Sequence, residues 1–382
     1  MVNKEREKVY ACWLDSISFL ASASKYKLLK AAKTIENIYH MPESDIAFLI
    51  GAKGSERIRQ AKKTQSIDAV YETLKKRKIN YTFCCEDDFP TKLRKIPDPP
   101  FGIFYRGGLP DAAVPAVAVI GARKCSEYGY CMAKRLAGNL GKRGVNIISG
   151  MALGIDGISQ RAALDAGARS YAVLGCGVDV VYPKSNQPLY EKLVECGGVL
   201  SEYPLGTEPK PMLFPPRNRI ISALSDVVLV VEAREKSGTL ITVDMALEQG
   251  REVYVVPGRC TDNLSAGCNL LLRQGASVAL CAEDITGDMG WDTCLSETRC
   301  EKKEGVSSYI NMKSLTPLSR AICGLLDILP VAQDTLIVLL REQGFKETVA
   351  AVFQELVELE LKGMIERVGG QYKLKDEIVL KH

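Results

Sequence analysis

VAVIGARKCSEYG at 117–129, VNIISGMALGID at 145–156, YAVLGCGVDVVYPK at 171–184 and VVLVVEAREKSGTLIT at 227–242 follow one pattern. Each opens as a short apolar, β-branched run, breaks at glycine and polar residues, and passes into a helical spacing. Runs that are apolar at every position, rather than at alternate ones, belong to strands covered on both faces. GVLS (198–201), EVYVV (252–256) and SVAL (277–280) complete a series of seven strands. Helices are expected to begin near Tyr128, Asp156, Gln187, Arg217, Thr239 and Gly267. Strands alternating with helical crossovers predict an α/β fold with a mainly parallel, doubly wound, Rossmann-like sheet.

Outward from this core the character of the chain changes. Residues 1–80 read as short helices at Ala11–Ala23, Lys25–Tyr39, Glu43–Leu49, Ser55–Thr64 and Ile67–Lys76, a small helical domain. AFLIGAKGSERIRQA sets Gly51 and Gly54 between two helical pieces, either a hairpin-like turn offering N–H groups to a phosphate or a simple capping turn. Residues 81–110 are a Pro-rich lead-in with short strands, so the sheet domain is drawn as 81–285. Residues 286–314 read as a linker. In 315–382, helices fit Ser319–Ile328, Thr335–Glu342 and Thr348–Leu361, and Gly369-Gly370 forms a two-residue hairpin between Met364–Val368 and Gln371–Leu374. Three helices and a hairpin suggest a winged-helix-like unit.

Bulk properties narrow the function. No apolar run reaches the ~18 residues of a membrane span, and the charged start MVNKEREKVYACW lacks a signal peptide's apolar region, so the chain is expected in the cytoplasm. The 13 cysteines include no C-x-x-C pair and read as reduced thiols. The 2 histidines, His40 and His382, argue against a Ser-His-Asp triad and a Cys/His zinc site. No metal, cofactor or catalytic residue is expected. Charge is uneven: 16 Lys/Arg against 9 Asp/Glu in 1–80, 18 against 18 in 111–285, and 8 against 10 in 315–382. A polyanionic partner must then meet local clusters or the N-terminal region rather than a general positive field.

Open α/β sheets bind ligands beyond the carboxyl ends of their strands. The residues there are Gly121-Ala122-Arg123-Lys124, Ser149-Gly150 of SGMALGID, GCGVD with Tyr182-Pro183-Lys184, Ser237-Gly238-Thr239 of EAREKSGTLIT, and PGR at 257–259. Glycines admit close approach to a phosphate, and helix starts offer N–H groups. Arg123 stands where a dinucleotide-binding G-x-G-x-x-G needs its second glycine, and no P-loop motif occurs. FPPRNRIISALS (214–225) brings Phe214, Arg217, Asn218 and Arg219 together at a helix start, with Lys210 just before. Cations neutralise phosphates, and an aromatic face stacks bases.

Each residue also has a purely structural reading. Phe214 would be a hydrophobic staple, Arg123 a sheet-edge ion pair, and Arg217 and Arg219 solvated or internally paired. Asp156 and Ser237-Gly238-Thr239 would be capping groups. Cys125, Cys176 and Cys260, near these loops, are read as bystanders. Glu232 and Glu248 are the acid/base candidates of a competing reading, a Rossmann-like nucleotide-processing enzyme resembling phosphoribohydrolases. Their structural alternatives are a sheet-edge salt bridge and a solvated helix face.

The ordered string VAVIGARKCSEYG, IISGMALGIDGISQRAAL, AVLGCGVDVVYPKSN, VLSEYPLG, FPPRNRIISALSDVVLVVEAREKSGTLIT and ALEQGREVYVVPG resembles the DNA-processing family known as DprA or Smf. The resemblance covers most of 81–285, and DDFPTKLRKIPDPPFGIFYRG resembles the family's lead-in. It implies a non-enzymatic, dimeric protein that binds and protects single-stranded DNA and loads RecA onto it during natural transformation. It further implies an N-terminal SAM-like domain and a C-terminal winged helix. By motif, the DNA pocket would comprise Gly121, Arg123, Ser149, Gly150, Lys184, Lys210, Phe214, Arg217, Asn218 and Arg219, with Ser237, Gly238 and Thr239 beside them. Gln160 departs from the family's usual histidine, and Ala223 from its usual glycine. The acidic helix carrying Glu355, Glu358 and Glu360 implies protein contact rather than duplex binding by the C-terminal unit.

Overall fold

The structure is a computed structural model that describes residues 2–291, 309–311, 315–326, 329–375 and 379–381. Its centre is a nine-stranded sheet. The strands are β1 Asn80–Phe83, β2 Gly102–Gly107, β3 Ala116–Ile120, β4 Asn146–Ser149, β5 Ser170–Val173, β6 Gly197–Ser201, β7 Val227–Val230, β8 Glu252–Val255 and β9 Ser277–Val278. Their order is β1-β2-β6-β5-β4-β3-β7-β8-β9. All seven strands expected from the apolar runs pair in parallel; β1 and β2, from the lead-in, add an antiparallel edge. Strand order runs one way from β3 to β6 and the other way from β7 to β9, so the topological switch point lies between β3 and β7.

Five N-terminal helices precede the sheet: α1 Val2–Asp15, α2 Ser22–Ala32, α3 Ile35–His40, α4 Glu43–Thr64 and α5 Ile67–Lys76. The first starts earlier than expected, and the expected Lys25–Tyr39 helix is two. Lys33 turns to φ 71° and Thr34 caps α3 by accepting from Asn37 N at 3.2 Å. The break at Lys33-Thr34 carries no glycine or proline that would announce it in the sequence. Gly51, at φ 80°, breaks α4 where a turn is expected. The boundary near residue 80 does not separate two cores. Trp13, Leu14, Leu28 and Ile38 share one apolar cluster with Phe101, Phe104 and Leu193 of the sheet layer.

The helices of the sheet domain are α6 Thr91–Arg94, α7 Glu127–Lys142, α8 Ile155–Asp165, α9 Gln187–Cys196, α10 Phe214–Leu224, α11 Gly238–Glu248, α12 Ala266–Arg273 and α13 Ala282–Asp288. Most of the expected linker, 292–308 and 312–314, lies outside the described residues. The C-terminal unit has its own core around Ile322, Leu336, Leu340, Leu356 and Tyr372. Helices Pro317–Leu325, Gln333–Glu342 and Val349–Leu361 are followed by the expected hairpin, whose Gly369 and Gly370 both take positive φ. A short strand, Val331–Ala332, joins that hairpin and was not foreseen. Among the described residues, no helix is long and apolar enough to cross a membrane.

Candidate nucleic-acid interface

A cavity of 550 Å³ opens at the switch point, between the loop after β3 and the loop after β7, with α10 as its third wall. The loop after β3 is held open by small residues. A Cβ on Gly121 would meet Ile155 Cγ1 at 2.7 Å, and one on Gly154 would meet the Ala122 carbonyl oxygen at 2.2 Å. Gly154 also sits at φ 73°, which disfavours a side chain. Gly154→Ala is expected to push the Gly121–Lys124 turn aside. Its destabilisation should exceed about 1 kcal/mol, read as a lower melting temperature together with weaker single-strand binding in anisotropy.

Helix α10 supplies the aromatic wall. It starts at Phe214, with Pro215 in its first turn where a missing N–H costs nothing. Phe214, Arg217, Asn218 and Ile221 are spaced i, i+3, i+4, i+7, so they share one face, and all four line the cavity. The Arg123 guanidinium lies 5.4 Å over the Phe214 ring, Arg217 lies 5.7 Å from the same centroid, and the exposed Tyr182 ring lies 5.7 Å away. These are cation–π and aromatic contact distances.

The arginines of this helix divide by role. Arg217 is buried; its guanidinium donates to the carbonyl of Gly150 at 3.0 Å and to that of Val173, tying the ends of β4 and β5 together beneath the cavity. Burial pulls its pKa down, and Asp156 opposes that shift. Asp156 does not cap α8 as expected; buried, it accepts from Gly150 N at 3.2 Å. Burial raises its pKa while Arg217 restrains the rise. Arg219, two residues on and so about 200° around the helix, points away from the cavity. It forms a bidentate pair with Glu202 at 3.1 and 2.7 Å and reaches Asp98 at 3.1 Å. Arg219 therefore leaves the expected pocket and takes its alternative reading, an internal ion pair.

Other expected members also move. The Ser149 hydroxyl donates to Val119 O at 2.7 Å and faces the next strand. A Cβ on Gly150 would run into the Arg217 guanidinium, so this glycine makes room for the arginine; it lines a small neighbouring cavity of 60 Å³ with Arg123, Tyr182 and Phe214. Gly175 does the same for Phe214, whose ring carbon would lie 2.7 Å from an added Cβ. Lys184 is exposed in a short turn beside Tyr182-Pro183 and does not line the cavity. Lys210 is exposed and lines a separate cavity with Arg219. Gly121, Arg123, Phe214, Arg217, Asn218, Ser237, Gly238 and Thr239 do line the switch-point cavity.

Lys124, Arg234 and Tyr182 line it too, although the motif-based pocket does not include them. Each lies in a strand-end loop, which was the available signal. Among the described lining residues Asp156 is the sole acid, against Arg123, Lys124, Arg217 and Arg234. Helix α11 points its N-terminus at this space. Ser237 is its cap residue, yet its hydroxyl makes no cap bond and is buried without a partner. Unpaired N–H groups, a free hydroxyl and surplus cations together suit an anionic ligand.

The acid/base candidates are placed elsewhere. Glu232 is buried and accepts from Ser126 N at 2.9 Å and from the Ser126 hydroxyl, securing the start of α7. Glu248 is exposed on α11, outside the cavity lining. Gln160, in place of the family's histidine, is buried; it accepts from Met151 N at 3.1 Å and donates to Tyr171 O at 3.1 Å. Met151 holds φ 53° there, so Gln160 braces the turn after β4.

A Rossmann-like sheet with a cationic, aromatic-walled cleft at its switch point places the chain among the doubly wound α/β proteins. Within that class the chain belongs to the DNA recombination-mediator protein A family, whose model matches residues 80–290. It is 41% identical over 203 residues to the DNA processing protein DprA of Streptococcus pneumoniae, covering 53% of this chain and 72% of that protein. The X-ray structure of DprA from the same species superposes with a TM-score of 0.66 at 33% identity, covering 73% of this chain and 97% of that one. A Helicobacter pylori DprA structure, described for its single-stranded DNA binding mode, aligns at TM-score 0.50 and 30% identity over 56% of this chain and 97% of that one.

Proposed function

We propose that this chain binds single-stranded DNA in the switch-point cleft, protects it, and loads the RecA recombinase onto it for homologous recombination in natural transformation. It acts as a homodimer in the cytoplasm and performs no catalysis. The observation that carries the reading is Arg123 stacked on Phe214 at the mouth of a cleft whose lining cations outnumber its acid. Arg123, Lys124 and Arg234 contact phosphates, Phe214 and Tyr182 receive bases, and Asn218 with the Ser237–Thr239 helix start adds hydrogen-bond donors. Little base-edge readout is available there, so sequence preference is low. The engagement of Glu232 by Ser126 weighs against the nucleotide-processing alternative. Glu355 accepts from Thr316 Oγ1 at 2.6 Å, and exposed Glu358 and Glu360 remain on a helix ill-suited to duplex DNA. We read the C-terminal unit as a winged-helix-like protein contact and the N-terminal helices as SAM-like.

The test is fluorescence anisotropy with labelled oligo-dT and the matching duplex across a salt series. Binding is expected to favour the single strand and to weaken with salt at a log–log slope of about −0.7 per phosphate contact. Equal affinity for duplex, or a flat salt response, would overturn the cleft reading.

A further inference from the structure

Cys84 and Cys85 follow β1 directly, on the sheet edge that faces the N-terminal helices, and their Sγ atoms lie 3.8 Å apart. Cys85 is exposed, whereas Cys84 is half-buried. The backbone around them is fixed: Cys84 N donates to Phe101 O at 2.9 Å, and Arg94 donates to the Cys84 carbonyl at 3.1 Å and to that of Glu86. Tyr26 of α2 approaches the Cys84 thiol and donates its own hydroxyl to Pro100 O at 3.1 Å. Cys85 borders a 520 Å³ cavity lined by Glu7, Lys33, Glu86, Asp87 and Asp88. Nothing in the DNA-binding reading uses this pair.

We propose that Cys84 and Cys85 form a hydroperoxide-reactive vicinal thiol pair, with Cys85 the attacking sulfur and Cys84 the resolving one. The two thiols differ in the sense this requires. The contact between the two sulfurs draws the Cys85 thiol down to about 7, with Arg94 assisting and burial, Glu7 and Glu86 opposing. That same contact and burial push Cys84 up. In the first step the Cys85 thiolate attacks one peroxide oxygen. The O–O bond breaks, an S–O bond forms, and the leaving oxygen departs as water or alcohol after taking a proton. The Cys84 thiol then attacks the Cys85 sulfur; S–S forms, S–O breaks, and water leaves. The sulfurs lose two electrons and the peroxide gains them.

Adjacent residues hold their Cα atoms ~3.8 Å apart, closer than the usual disulfide span of ~4.4–6.8 Å. Such a bridge is strained and readily reduced by thiols, which makes the modification reversible. Four carboxylates against Lys33 line that cavity, which disfavours an anionic peptide disulfide relative to a small neutral hydroperoxide.

Cysteine-resolved mass spectrometry of the full chain tests this, with added cysteine-containing model peptides as internal references. A thiol near 7 is half ionised at neutral pH, against a few per cent for an ordinary thiol near ~8.5, but is intrinsically less nucleophilic. Cys85 should therefore alkylate about threefold faster than the references at about pH 7, and more slowly than they do at about pH 8.5. Hydrogen peroxide should convert wild type to a linked Cys84–Cys85 peptide, while Cys84→Ser should leave Cys85 as a sulfenic acid trapped by dimedone. A rate ratio near one at both pH values, or oxidised Cys85 beside a freely alkylatable Cys84, would overturn the proposal.

Discussion

The double substitution Arg123→Ala, Phe214→Ala is expected to weaken oligo-dT binding on the order of 100-fold while leaving the fold in place. Phe214 is partly exposed, and stacking of a base on an aromatic face contributes ~1–3 kcal/mol. Arg123 is exposed and makes no ion pair among the described residues, so its charge is available to a phosphate. Losing that contact should reduce the magnitude of the salt slope by about 0.7. The two effects separate experimentally: Phe214→Ala alone should lower affinity at all salt concentrations with the slope unchanged, and Arg123→Ala alone should lower both. Anisotropy titrations of the three variants over a salt series read this directly. An unchanged affinity in the double variant, with an unchanged melting temperature, would move the ligand away from the switch point.

Why these two residues, and not every residue of the FPPRNR segment, carry the expectation follows from helix phase. The apolar runs from Val117 to Leu280 state the parallel sheet openly, because strands buried on both faces carry few polar positions to confuse the reading. The strand-end loops likewise announced the cleft, since glycines and cations cluster where the chain leaves each strand. What adjacency in sequence concealed was direction. Arg217 and Arg219 look equivalent beside Asn218, yet a two-residue step turns a helix by about 200°. Once α10 is known to start at Phe214 rather than Arg217, the spacing places Phe214, Arg217 and Asn218 on one face and excludes Arg219. The glycines are ambiguous for a different reason. Gly150 and Gly175 look like phosphate-approach glycines, but the space they leave is filled from within by Arg217 and Phe214. A sequence shows that a side chain is missing, not which neighbour occupies its place. The same limit applies to Glu232, whose partner Ser126 is 106 residues away.

Arg219→Ala should then behave as a stability variant. Arg219 and Glu202 have side chains only 9% and 11% exposed, and their pairing is bidentate with Asp98 as a third member. Burial raises the Glu202 pKa, and Arg219 is what keeps that rise in check. Deleting the arginine leaves a buried carboxylate without its cation, a loss of about 3–5 kcal/mol for a pair of this kind. In a domain of this size that corresponds to a fall in Tm on the order of 10 °C. Single-strand affinity per folded molecule should stay within about twofold of wild type, since the guanidinium faces away from the cleft. Replacing both partners, as in Arg219→Leu, Glu202→Leu, should recover much of the lost stability, because neither charge is then left stranded. Thermal melting and anisotropy on the same preparations decide the matter. If Arg219→Ala instead melts like wild type and loses DNA binding, the arginine belongs to the nucleic-acid interface, and the ion pair with Glu202 opens to release it when DNA arrives.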